Sequence, residues 1–94
     1  MTQTAAHASV PTEHASRYLQ QLAKHWAHKF PVEFTAEAAT LDLPMGRCEL
    51  RAGPGALEIS LAGAPDTDMD RFQTVVVDHL QRFGYRETLV FDWG

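Results

Sequence analysis

Apolar and polar residues alternate along four consecutive stretches in the middle of the chain. The stretches read PVEFT, ATLDL, RCELRA and ALEISLA, and each keeps its larger apolar side chains on one side. The turn residues of PMG and GPG separate the last three stretches. Alternation with a period of two is typical of strands that bury one face, so these stretches predict an antiparallel meander.

Two longer segments instead repeat their apolar residues at steps of three and four positions, as one buried face of a helix does. The first spans residues 13–30, with Thr12 as its predicted N-cap. The second lies within PDTDMDRFQTVVVDHLQRFG, where we expect Asp66 or Thr67 to cap the helix and Gly84 to end it.

A further strand is predicted on each side of these elements. TAAHASV precedes the first helix, and TLVFDWG follows the second. The predicted order is therefore β-α-β-β-β-β-α-β, in a single α+β domain over residues 1–94. Since each strand has one apolar face and each helix one apolar stripe, we expect a two-layer sandwich: a mainly antiparallel sheet with both helices on one face.

Composition restricts the function more than the fold. The 94 residues have a formal charge of −4 and scattered cations, which disfavours nucleic-acid binding. No apolar run approaches the roughly 20 residues of a membrane span, and MTQTAAHASV does not resemble a secretory signal. A single cysteine, Cys48, allows no internal disulfide. We expect a cytoplasmic protein that binds neither nucleic acid nor membrane.

Histidines are concentrated at the flanks of the predicted helices. KHWAHKF places His25 and His28 around Trp26, close to the end of the first helix. At about 100° per residue, His25 lies at one flank of the buried face of that helix, and His79 lies at a flank of the second helix. Two flanks on neighbouring helices over one sheet would meet in a groove.

This groove is the predicted site. Imidazole and thiolate groups suit zinc, iron or haem. If Cys48 lies on the strand below the groove, then His25, His79 and Cys48 are the predicted metal ligands. A wider set of residues is predicted to bind a ligand in this groove: His25, Trp26, His28, Lys29, Cys48 and His79.

The same residues have a purely structural interpretation. Lysine and histidine side chains at the end of a helix complement its dipole without any ligand. Cys48 would then be a small buried apolar residue with an inert thiol. The sequence leaves both interpretations open.

Three segments resemble a known family. ASRYLQQLAKHWAHKFPVEF, GRCEL and VVVDHLQRFGYRETLVFDW closely resemble the bacterial domain-of-unknown-function family 2218, over residues 6–93. The resemblance implies a stand-alone cytoplasmic protein that is associated with siderophore-interacting flavin reductases, which hints at iron handling. The recurring polar positions of the family correspond to His25, His28, Lys29, Cys48, His79 and Trp93. Alanine stands at position 23, where relatives often carry a second cysteine, and this puts a thiolate-rich site in doubt.

Three functional hypotheses follow, in order of preference. The first is a small binding or accessory domain that holds iron, haem or an iron chelate in the groove, with a siderophore-interacting reductase as its partner. The second is an interaction domain that forms a homodimer through a strand edge or a helix face. The third is a small enzyme that uses His25 as an acid or base. We assign no catalytic residue, and the first two hypotheses are not enzymatic.

Overall fold

The computed structural model describes residues 5–93, in which two helices cover one face of a five-stranded antiparallel sheet. The elements in chain order are β1 (Ala5–Pro11), α1 (Ala15–Ala27), β2 (Val32–Phe34), β3 (Ala38–Leu43), β4 (Gly46–Ala52), β5 (Ala56–Gly63) and α2 (Met69–Phe83). The strands lie in the order β1-β5-β4-β3-β2. The predicted α+β sandwich is confirmed.

The core lies between the sheet and the helices. Every second residue of the three central strands is buried there: Ala39, Leu41, Leu43, Cys48, Leu50, Leu57, Ile59 and Leu61. α1 packs across β2 to β5, and α2 lies beside it over β1 and β5. Leu22 on α1 and Phe72 on α2 are fully buried, and burial of one such side chain contributes about 1.5–3 kcal/mol. The alternation in the sequence thus becomes the inner face of the sheet.

The turn between β3 and β4 is held in a fixed position. Gly46 has a φ of +143°, and a Cβ atom there would lie 2.2 Å from the carbonyl oxygen of Ala62. Only glycine fits this backbone. The carbonyl oxygen of Met45 accepts hydrogen bonds from the Ala64 N–H at 2.9 Å and from the Thr67 hydroxyl at 2.8 Å. These bonds attach the turn to the loop between β5 and α2.

The start of α1 differs from the prediction. The helix begins at Ala15, and Thr12 does not cap it. The Thr12 hydroxyl accepts a hydrogen bond from the His14 N–H at 3.1 Å and donates one to Glu87 at 3.1 Å. Tyr18 donates its hydroxyl proton to the same carboxylate. Thr12 therefore joins α1 to the segment after α2.

The ends of α2 were predicted in part. Asp68 caps the helix by accepting a hydrogen bond from the Arg71 N–H at 3.2 Å, whereas Asp66 lies in the preceding turn with a φ of 66°. Gly84 ends α2 as predicted. Neither α1 nor α2, the helices within residues 5–93, has the length and apolar character that crossing a membrane requires.

The predicted final strand is wrong. Within residues 84–93, the only strand-like pairing is a single antiparallel bridge between Ala8 and Trp93. Gln81 takes the place of a neighbouring strand: its amide donates to the carbonyl oxygens of Gly84 and Glu87, and its carbonyl oxygen accepts from the Leu89 N–H. Gln81 therefore occupies these backbone groups of the segment, and of residues 84–93 only Trp93 pairs with the edge strand β1.

Candidate ligand-binding groove

A groove opens where the end of α1, the middle of α2 and the β3–β4 turn come together. Its volume is about 350 Å³. The lining residues come from three separate parts of the chain: His25, Trp26, Lys29 and Phe30; Leu43, Pro44 and Met45; Val75 and His79. The walls are mostly apolar, and the polar groups are two imidazoles and one ammonium. Concave apolar sites with a few polar groups are typical of small-molecule binding.

The structure brings the two predicted flank histidines together. The ring centroids of His25 and His79 lie 5.2 Å apart. Trp26 packs beside His79, with 4.9 Å between the ring centroids, and Phe83 lies 6.0 Å from His25. Trp26 is buried, so it fixes one side of the histidine pair.

His79 is held in one tautomer. Its Nδ1 atom lies 2.7 Å from the Val75 carbonyl oxygen, and a carbonyl oxygen can only accept a hydrogen bond. Nδ1 therefore carries the proton, and Nε2 of the neutral ring has a free lone pair. A histidine whose second nitrogen donates to a backbone carbonyl is the usual arrangement of a metal-binding histidine.

His25 is exposed and has a lowered pKa. Partial removal from water is the largest cause, and the neighbouring His79, Lys29, His28 and Arg82 add to it. Both effects lower the pKa of His25 and favour its neutral imidazole form over the imidazolium form. It can then accept a hydrogen bond or bind a metal.

Lys29 follows the end of α1 and supplies the positive charge of the groove. Its backbone N–H donates to the Trp26 carbonyl oxygen at 3.0 Å, which fixes the chain at this point. The side chain is exposed and makes no ion pair with any residue in the described part of the chain. Its ammonium group is therefore available to an anion.

Cys48 does not belong to the groove, which corrects the predicted metal set. It lies in the middle of β4, paired with Leu41 and Leu61, and is fully buried. Burial raises the pKa of its thiol to about 12, so it is not a thiolate at neutral pH. Across residues 5–93, no three His, Cys, Asp or Glu side chains are grouped so that they could hold one metal ion.

His28 also lies outside the groove. It is exposed at the C-cap of α1 and does not line the groove, although it is one of the groups that lower the pKa of His25. Of the predicted ligand-binding residues, the structure brings together His25, Trp26, Lys29 and His79.

Apart from Trp26, the apolar walls were not predicted from the sequence. Phe30 follows Trp26 by four residues, and Val75 precedes His79 by four, so helical spacing could have identified both. Met45 was interpreted only as part of a turn. Nothing local in PMG indicates that this turn reaches the helices.

Comparison with known proteins places the chain among bacterial sequences. A family model described as "Uncharacterized protein conserved in bacteria (DUF2218)" matches residues 7–94, which confirms the resemblance. The chain is also similar to PA4090 from Pseudomonas aeruginosa, whose structure was determined by NMR. The identity is 38%, the TM-score is 0.79, and the match covers 98% of this chain and 96% of that one. A search of the curated proteins finds no match.

Proposed function

The chain belongs to the DUF2218 family of bacterial proteins, and we propose that it is a small binding domain whose groove holds a metal chelate, with ferric iron as the metal. The observation that carries this proposal is the histidine pair. Two imidazoles from different helices lie 5.2 Å apart in an otherwise apolar groove, and one of them has a fixed tautomer.

The number of donors favours a chelate over a bare ion. Protein sites that hold zinc tightly use three or four side-chain ligands, whereas the groove offers two imidazoles. A chelate brings its own oxygen donors and needs only the remaining positions filled. Imidazole is a suitable ligand for iron as well as for zinc and copper.

The rest of the groove suits the organic part of such a ligand. Trp26 and Phe30 offer aromatic surface, and Met45 adds a flexible thioether wall. Ferric chelates of catechol or carboxylate ligands are often anionic, and Lys29 provides the matching charge. We propose a siderophore-interacting reductase as the partner, because the resemblance to the family implies that association. Such a reductase would deliver electrons to the bound iron.

Trp26 provides a direct test. In a Trp93→Phe background, Trp26 is the only tryptophan, and a bound ferric complex of 2,3-dihydroxybenzoate should quench its fluorescence. We expect saturable quenching that is weakened by Lys29→Gln, because the anion loses its partner. Lys24→Gln, on α1 but outside the groove, should leave binding unchanged. Quenching that does not saturate would contradict the proposal.

A further inference from the structure

We infer that the groove selects chelates whose metal has two adjacent coordination positions open, which His25 and His79 fill side by side. This inference rests on the proposed function and adds the coordination geometry of the ligand to it. Such a site would bind an octahedral metal that a chelator holds only in part. It would not bind haem, whose two open positions lie on opposite sides of a plane.

The distance between the rings carries the argument. With metal–nitrogen bonds of about 2.0–2.1 Å, the centroid of a binding imidazole lies roughly 3.2 Å from the metal. Two imidazoles on opposite sides of a metal would then have centroids roughly 6.4 Å apart, and two at a right angle roughly 4.5 Å apart. The observed 5.2 Å lies closer to the right-angled arrangement, and a small movement of the exposed His25 ring closes the difference.

The packing around the pair prevents the opposite arrangement. His79 is fixed by its hydrogen bond to Val75 and by Trp26, which is buried. Only His25, which is exposed, can adjust. A macrocycle between the two rings would also need a gap between α1 and α2, which pack against each other.

The neighbouring helix residue offers an internal comparison. His25 and His28 are three apart on one helix and form a competing pair that also suits two adjacent positions. Only the pair between the helices includes the fixed tautomer of His79. His28→Gln is therefore a matched control for His79→Gln.

The test uses three probes of known open positions. Nickel nitrilotriacetate leaves two adjacent positions open, nickel ethylenediaminetetraacetate leaves none open to a histidine pair, and haem leaves two opposite ones. We expect nickel nitrilotriacetate to bind one per chain by calorimetry, and His25→Gln or His79→Gln to weaken it about 100-fold because two-point attachment is lost. The His28→Gln variant should bind nickel nitrilotriacetate as the wild-type protein does. Nickel ethylenediaminetetraacetate should not bind to the wild-type protein.

Each other outcome overturns the inference. If binding survives His79→Gln but not His28→Gln, the pair on one helix is the site. If haem shows a bis-imidazole spectrum that needs both His25 and His79, the opposite geometry is correct and chelate binding itself stands. If ferric dihydroxybenzoate quenches Trp26 while nickel nitrilotriacetate does not bind, the chelate is held without histidine ligation. If neither probe binds, the proposed function fails too. Amide NMR spectra of each variant serve to check that it remains folded.

Discussion

His79 and Cys48 both carry side chains that can bind metals, but their surroundings give them different chemistry. His79 is half-buried and keeps one nitrogen free because the other donates to Val75. Cys48 is sealed beneath the helices among apolar side chains, and its thiol keeps its proton. The donor chemistry of the groove is therefore that of imidazole alone, and the thiol is a core group.

The Cys48 thiol predicts a loss of stability in alkaline solution. Its pKa is about 12 in the folded protein against an ordinary 9.0, so the unfolded chain loses the proton first as the pH rises above 9. This contribution to stability is fully present below pH 9 and falls by up to about 1.4 kcal/mol per pH unit between 9 and 12. Urea unfolding at pH 8–10.5 should show a smaller decline for Cys48→Ala than for the wild-type protein.

Tyr18 also contributes to the loss of stability in alkaline solution, in the wild-type protein and in Cys48→Ala alike. Its pKa is also raised, first by burial and then by its hydrogen bond to Glu87, so it adds a similar alkaline slope to both proteins. The difference between the two slopes isolates the thiol. Identical slopes would mean that Cys48 is not buried as a thiol.

The segments between helices and strands explain where prediction from sequence succeeded and where it failed. In TLVFDWG, Leu89 lies on the apolar side of the alternation, which predicts that it faces the core, and Leu89 is buried. The same alternation wrongly predicted a strand, because backbone groups of this segment form hydrogen bonds with the side chain of Gln81 on α2. Local periodicity reports which side chains are buried, but it does not identify a distant group that satisfies the backbone.

Gln81→Ala should loosen the segment after α2. The change removes three hydrogen bonds and leaves the Leu89 N–H without its partner, which costs about 1–3 kcal/mol of unfolding free energy. Hydrogen exchange at the Leu89 amide should accelerate more than exchange in α1. Gln21→Ala, an exposed change on α1, is the control and should leave both quantities nearly unchanged. Equal effects of the two changes would refute the role of Gln81.

Gly46→Ala should destabilise the β3–β4 hairpin. The new Cβ atom meets the Ala62 carbonyl oxygen at 2.2 Å, and the backbone φ of +143° is unfavourable for alanine. We expect a loss of about 1–3 kcal/mol in chemical unfolding. Gly55→Ala, with no atom within 4 Å of the added Cβ, should cost far less. A Gly46→Ala protein as stable as Gly55→Ala would show that the turn can relax.

At the scale of the whole molecule, the groove combines residues that are far apart in the sequence. The flanks of the two helices predicted that His25 and His79 could meet, because both helices had to cover the same face of one sheet. The third wall could not be predicted, since the position of Met45 depends on hydrogen bonds from Ala64 and Thr67. Cys48 was misplaced because an inward position on a central strand lies under the helices, below the level of the groove.

A histidine-resolved NMR titration tests the binding of a chelate to this groove most directly. Gallium, a diamagnetic substitute for ferric iron, is added as its 2,3-dihydroxybenzoate complex, and the imidazole nitrogens of all five histidines are followed. We predict that the signals of His25 and His79 shift together and saturate at one chelate per chain, while His7 and His14 stay unchanged. Independent or equal shifts of all histidines, or none at all, would contradict the account and leave the pair as a structural contact between the helices.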